Sequence, residues 1–234
     1  MIFLRSTLCN LLMLAWTILC GVGGVPVIFM NPPKSAVAVM NFWGRGMLAI
    51  ARICCGIRME VQGEIPAGKV IIASKHQSAW ETIVYHLLLP NPVFVLKREL
   101  NYIPIVGWYA MGLESIAIDR KAGKRALVQV VDQSIKKLEQ ARQVIIFPEG
   151  TRVKPGERRK YHGGVGAIYA RAGVSAVPVA LDSGVCWPKN SWKKYPGIIT
   201  ICFLEPIPPG LPREEFMRVV EERIEAGQAA LMKN

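Results

Sequence analysis

The sequence predicts an α/β fold, a mostly parallel sheet flanked by helices, preceded by an N-terminal pair of membrane-associated helices. Three observations carry this. After residue 58, short β-rich runs alternate with helical ones, the pattern of a parallel sheet. The residues before that are largely apolar and hold five cations, Arg5, Lys34, Arg45, Arg52 and Arg58, with no acid before Glu60. The 234-residue chain combines 51% hydrophobic residues and a net charge of +12 with a mean hydropathy of +0.27. That balance excludes disorder and fibrous repeats and points toward a membrane surface.

Taken in order, the run 7–25 would form a helix about 28 Å long, close to the thickness of a hydrocarbon core. A cleaved signal peptide shares that outline, but Asn31-Pro-Pro-Lys34 reads as a turn into a second apolar segment, 36–57. There the spacing of Arg45 and Arg52 keeps both on one face, as in an interfacial helix. Spacing leaves open whether the first helix crosses the bilayer or the pair forms a hairpin in one leaflet. If it crosses, the heavier cationic flank on its C-terminal side places the rest of the chain in the cytoplasm, at the inner membrane if the source is bacterial. The six cysteines form no metal-ligand spacing and no disulfide framework, which suits buried free thiols and predicts no metal site.

Residues 1–58 are thus expected to anchor the chain and 59–234 to form one domain. Strands are expected at 59–62, 70–73, 92–97, 115–119, 143–147, 176–181 and 198–204. Leu127, Val130, Val131, Ile135 and Leu138 follow helical spacing. A last amphipathic helix is expected over about 213–228, packing Phe216, Val220 and Ile224.

Two motifs carry chemistry. Ser74-Lys-His76-Gln-Ser78-Ala-Trp-Glu81 follows an apolar strand, the position where α/β domains place their sites. An imidazole accepts a proton near neutrality, and an adjacent carboxylate would fix its tautomer. In one continuous helix His76 and Glu81 would point apart, so they meet only if His76 precedes the helix. Ser78-x-x-Glu81 also has the form of a capping box, so Glu81 either caps the helix or orients the imidazole, and spacing leaves both open. The second motif, Phe147-Pro-Glu149-Gly150-Thr151-Arg152, closes another apolar strand. It supplies a turn, a hydroxyl and a guanidinium fork suited to phosphate. Lys154, Arg158, Arg159 and Lys160 follow it; read alone, the stretch is a charged surface hairpin.

Taken together, His76 with Glu81, Lys97-Arg98-Glu-Leu with Ile103-Pro104 and Gly107-Trp108, the Phe147–Arg152 hexapeptide and Val177-Pro-Val-Ala180 resemble the 1-acylglycerol-3-phosphate acyltransferase family in order and separation. The resemblance covers about residues 58 to 206. It implies transfer of a fatty acyl group from an acyl thioester, on acyl carrier protein or coenzyme A, to the sn-2 hydroxyl of lysophosphatidate, giving phosphatidate in phospholipid synthesis. It implies His76 as general base, Glu81 as its orienting acid, and Glu149, Gly150, Thr151 and Arg152 as the phosphate site. Lys97 and, more weakly, Arg98 would add charge to the pocket. No cofactor is expected beyond the thioester co-substrate. The expected partners are the lysophospholipid acceptor, the thioester donor, membrane lipid and acyl carrier protein where it is the donor. The family usually has Asp at the position of Glu81, one methylene shorter.

Two alternatives stand beside this: transfer to another lysolipid such as a lyso-aminolipid, and a non-catalytic basic membrane-surface protein. Nucleic acid is not expected as a partner, because the basic run lacks interleaved aromatics apart from Trp187, Trp192 and Tyr195 among Lys189, Lys193 and Lys194. Gly164-Val-Gly166 is read as a helix of small residues rather than a dinucleotide loop. His86 and His162 are expected to pack or lie at the surface.

Overall fold

A computed structural model describes residues 1–28, 30–31, 33–103, 105–119 and 122–233. Pro32 of the expected turn and Pro104 of the second block lie outside them. Two long helices come first, α1 (Ile2–Ile28) and α2 (Lys34–Cys55). Seven strands follow: β1 (Ile57–Gln62), β2 (Val70–Ser74), β3 (Pro92–Lys97), β4 (Ile116–Ile118), β5 (Gln143–Ile146), β6 (Ala176–Leu181) and β7 (Gly197–Phe203). They form one sheet in the order β1-β7-β6-β2-β5-β3-β4. Every pairing is parallel except β6 with β7, which is antiparallel. The expected strands therefore all form, with ends within two residues of expectation.

Between the strands lie α3 (Trp80–Leu88), a 3-10 turn at Arg98–Tyr102, α4 (Val106–Gly112), α5 (Gly123–Glu139), α6 (Gly164–Ala172) and α7 (Ser183–Cys186); α8 (Arg213–Leu231) follows β7. The central strands β2, β5 and β6 are buried along their whole length, because helices cover both faces of the sheet, as parallel sheets require. Strand alternation divides the core. Val70 and Ile72 point to a cluster with Cys9 and Met13 of α1, Met47, Ala51 and Cys55 of α2, and Trp80 and Val84 of α3. Ile71 and Ala73 point to the opposite cluster, which contains Val130, Ile168, Phe216, Val220 and Ile224. Gly166 sits against Met217, so a side chain there would clash; the small residues of α6 serve its contact with α8.

The N-terminal pair is built into this fold. The α1–α2 hairpin packs with α3 in one of the two helical layers, and the expected boundary at 58/59 falls inside β1, which pairs with β7. The two helices approach closely where Trp16 lies against Gly46, with the Trp16 Nε1–H donating to the Trp43 carbonyl at 3.0 Å. At its start α1 is clasped to the 192–194 loop: Ser6 Oγ accepts from Lys194 N at 2.9 Å, and Trp192 Nε1–H donates to Thr7 Oγ1 at 2.9 Å. Toward its end, the Tyr109 hydroxyl of α4 donates to the Cys20 carbonyl at 2.9 Å. Residues 2–27 of α1 are long and apolar enough to cross a membrane, with a mean hydropathy of 1.9 in an 18-residue stretch. Leu4, Leu8, Leu11, Leu14, Ile18, Leu19 and Val22 are exposed along it, while Arg45 and Arg52 are exposed on α2.

Phe216 is fully buried and stacks on Tyr169 with ring centroids 3.8 Å apart. Phe216→Ala should lower unfolding free energy by about 3–5 kcal/mol, read from denaturant unfolding in detergent; a change near zero would mean α8 does not pack here.

Candidate active site

The site forms where β2, β5 and β6, neighbours in the sheet, release their chains at the same edge. Beyond β2 the backbone stays tied to β6 through Lys75 N–H to the Val179 carbonyl, 3.0 Å. His76 follows, then a turn into α3. The helix begins at Trp80, later than a cap at Ser78 implies, with Ala79 at its N-cap position and no side-chain bond there. Ser78 still performs the capping chemistry, its Oγ accepting from Trp80 N–H at 2.9 Å.

Glu81 does both things that the spacing allows. Its Oε1 accepts from the Gln77 and Ser78 backbone N–H groups at 2.7 and 2.8 Å and meets His76 Nδ1 at 2.8 Å. Its Oε2 accepts from the Ser78 and Ser183 hydroxyls at 2.8 and 2.7 Å. The carboxyl is fully buried. Burial alone would raise its pKa, but the His76 contact and the bonds from Ser78 and Ser183 outweigh it and leave the group below the usual carboxylate range. An ionised Glu81 holds the proton of His76 on Nδ1 and leaves Nε2, on the opposite edge of the ring, as the acceptor. One face of the imidazole stacks on Phe147, centroids 3.9 Å apart.

The hexapeptide after β5 is locked to the histidine loop. Val153 N–H donates to the His76 carbonyl at 2.8 Å, and Glu149 Oε2 accepts from His76 N–H at 3.0 Å. Gly150, with φ +66°, makes the turn possible. Glu149 is 1% exposed and its Oε1 lies 2.8 Å from Lys75 Nζ, which also meets Glu225 Oε1 of α8 at 2.6 Å. Tyr161 donates its hydroxyl to the same Glu225 oxygen at 3.0 Å. Burial pushes the Glu149 carboxyl up, and Lys75 opposes that without cancelling it. Glu149 is thus a buried partner of Lys75 and of the His76 backbone, set behind the pocket wall.

His76, Lys97, Gly150, Thr151 and Arg152 line one cavity of about 830 Å³, together with His86 and His162. Its far wall is apolar, from Met40 and Trp43 of α2, Ile105 and Tyr109, and Leu127 and Val130 of α5. Arg98 lies outside the lining, 3.3 Å from Asp119 and largely exposed. Burial, with Arg142 nearby, holds His86 down to about 4, so it is a neutral packing group against Phe94. Among the described residues no cluster of His, Cys, Asp or Glu could hold a metal ion.

Sequence reading missed Lys75, Ser183, Tyr161 and Glu225. Ser183 had a signal, since it follows the carboxyl end of β6 just as His76 follows that of β2. Lys75 is a lone charge ending an apolar strand, and Glu225 lies 150 residues from it with no pattern linking them.

A buried carboxylate that fixes an imidazole at the carboxyl edge of a parallel sheet, on the wall of a cavity lined by both cations and apolar side chains, suits acyl chemistry on an amphiphilic substrate. The Acyltransferase family model matches residues 56–182, more than half of the chain, and the protein belongs to that family. It is 42% identical over 165 residues to a 1-acyl-sn-glycerol-3-phosphate acyltransferase of Pseudomonas aeruginosa, covering 70% of this chain and 64% of that protein. The chain therefore spans less than two thirds of that relative. A lyso-ornithine lipid O-acyltransferase of the same organism is 28% identical over 195 residues, 75% of this chain and 74% of that one. The fold is that of the 1-acyl-sn-glycerophosphate (LPA) acyltransferase from Thermotoga maritima, with a TM-score of 0.79 over 100% of this chain and 97% of that chain at 23% identity.

Lys75→Met should cost about 3–5 kcal/mol of stability, because it leaves Glu149 and Glu225 without their shared counter-ion. Adding Glu149→Gln should recover part of that, measured by denaturant unfolding; an unchanged midpoint in the single variant would mean the ion pairs do not hold the loop. Because folding lowers the Glu81 pKa, its contribution to stability is present above about pH 4.3 and is lost as pH falls through the folded value. Glu81→Gln should therefore flatten the acid limb of the stability curve.

Proposed function

We propose that this protein transfers a fatty acyl group from a thioester of coenzyme A or acyl carrier protein to the sn-2 hydroxyl of lysophosphatidate, giving phosphatidate. The observation that carries the reading is the His76–Glu81 pair, 2.8 Å apart, on the wall of a cavity that also holds Lys97, Thr151 and Arg152. His76 Nε2 takes the hydroxyl proton as the oxygen attacks the thioester carbonyl. When the tetrahedral intermediate collapses, the new C–O ester bond remains, the C–S bond breaks and the imidazolium returns its proton to the departing sulfur. Glu81 stays ionised throughout and stabilises the imidazolium. These steps use only side chains and the two substrates. Arg152, Thr151 and Lys97 take the acceptor phosphate, and the apolar wall takes acyl chain. Glu149 acts by positioning the His76 backbone, and Arg98 contributes charge outside the cavity. The basic assistance accounts for about 10²- to 10⁴-fold, and the remainder comes from holding two substrates in register.

A second acceptor, a lyso-aminolipid, is supported by the lyso-ornithine relative; the cations at Lys97 and Arg152 favour a phosphate. We further infer that α1 lies along the domain within one leaflet, since both its start and its later turns are bonded to the same domain while its outer face is apolar. For the side of the membrane the support is separate: six free thiols suit a reducing compartment, and on that ground we take the catalytic domain to be cytoplasmic.

Acyl transfer in detergent micelles to lysophosphatidate and to a lyso-aminolipid tests the proposal. Wild type should acylate lysophosphatidate preferentially, and His76→Ala should lower kcat by about 10²- to 10⁴-fold. Glu81→Asp should keep most activity and Glu81→Gln should lose it. Transfer by wild type to no lysolipid would defeat the enzyme reading; a fully active Glu81→Gln would reduce Glu81 to a helix cap.

A further inference from the structure

The basic run after the hexapeptide has no part in the chemistry above, yet it builds a recess of its own. Arg152, Lys154, Arg158, Arg159, Lys189 and Asn190 surround about 380 Å³, with Glu157 the one acid in the lining. Lys154 lies 4.0 Å from Glu157, and Arg158 lies 3.7 Å from Glu225. Lys189 is fixed from another loop, its Nζ donating to the Arg152 carbonyl at 2.6 Å. Arg159 has no ion-pair partner among the described residues. Five cations against one acid leave a concave surface suited to an anion, and guanidinium groups among them are of the type that pairs with phosphate oxygens.

The recess adjoins the catalytic cavity: Arg152, Lys189 and Asn190 line both. Its lining has no aromatic side chain on which a base could stack, so the feature it offers to read is phosphate. Two anionic substrates must be held on either side of one reacting carbonyl. The acceptor carries its phosphate a few bonds from its hydroxyl, within the cavity. The donor carries its phosphate at the far end of a long amide-linked arm, which must leave the cavity.

We propose that this recess binds the phosphate of a phosphopantetheine-type thioester donor, with Arg152 standing between donor and acceptor phosphates. The proposal rests on the acyltransferase reading for the donor's identity. The arm's phosphate is common to coenzyme A and to a carrier protein, and the test separates the two sources.

The experiment is titration calorimetry of the full chain in detergent, without lysolipid, using 4′-phosphopantetheine, pantetheine, coenzyme A and the carrier-protein-borne arm. Wild type should bind 4′-phosphopantetheine about tenfold more tightly than pantetheine, the size expected for one charge-assisted contact. Arg159→Glu, and the milder Arg159→Gln, should abolish that preference at an unchanged unfolding midpoint. The same loss with coenzyme A, with the carrier protein or with both supports the site and identifies the source. Equal wild-type affinity for the two pantetheines overturns the proposal. So does an Arg159 variant that keeps the wild-type preference for 4′-phosphopantetheine over pantetheine. If the binding pattern holds but wild type transfers no acyl group, the site stands and the acyltransferase reading falls.

Discussion

The site depends on one buried carboxylate with five donors. Glu81 collects two backbone amides, two hydroxyls and an imidazole nitrogen, and each of those donors belongs to a segment that must be placed for catalysis. Such a group would be costly to bury unpaired. With its lone pairs occupied it stays charged, fixes the tautomer of His76 and binds the start of α3 to the loop before it. The Glu side chain is long enough to reach the imidazole and the Gln77 and Ser78 amides with one oxygen, at 2.8, 2.7 and 2.8 Å.

Sheet topology explains why these donors meet. The order β6-β2-β5 sets three chain exits side by side, and Ser183, His76 and Phe147 leave from them. A second layer of charge then ties the exits together from behind. Lys75 joins Glu149 to Glu225, so helix α8, which lies beyond the matched family segment of 56–182, braces the loop that carries His76. Helices α1 and α2 complete the other side. They cover the sheet and also supply cavity wall through Cys20, Met40 and Trp43, so the two helices whose outer face is apolar also help to line the site.

Much of this was legible in the sequence because parallel strands buried on both faces are short apolar runs ended by turn residues. Val70–Ser74 and Ala176–Leu181 are such runs, and each carries its chemistry just past its end. The His76 and hexapeptide motifs were likewise visible, since their residues are contiguous. What could not be read were pairings between distant segments. Glu225 looks like any surface acid on an amphipathic helix, and only the approach of α8 to β6 brings it to Lys75. The antiparallel pairing of β6 with β7 and the role of Glu149 were hidden for the same reason. From spacing, an acid in a turn after a strand reads as part of a phosphate loop, whereas its burial against Lys75 assigns it to the scaffold. The N-terminal helices read as an appended anchor because their hydrophobicity does not distinguish a lipid-facing side from a sheet-facing one.

Everything in the site turns on Glu81 holding His76 with its proton on Nδ1 and its lone pair on Nε2. Nitrogen-15 NMR of the protein with labelled histidine, assigned by comparison with His76→Ala, measures this directly at neutral pH. His76 should show a protonated Nδ1 and an unprotonated Nε2, and Glu81→Gln should disturb this tautomer. A His76 that is protonated on Nε2 in the wild type, or is indifferent to Glu81→Gln, would contradict that role of Glu81.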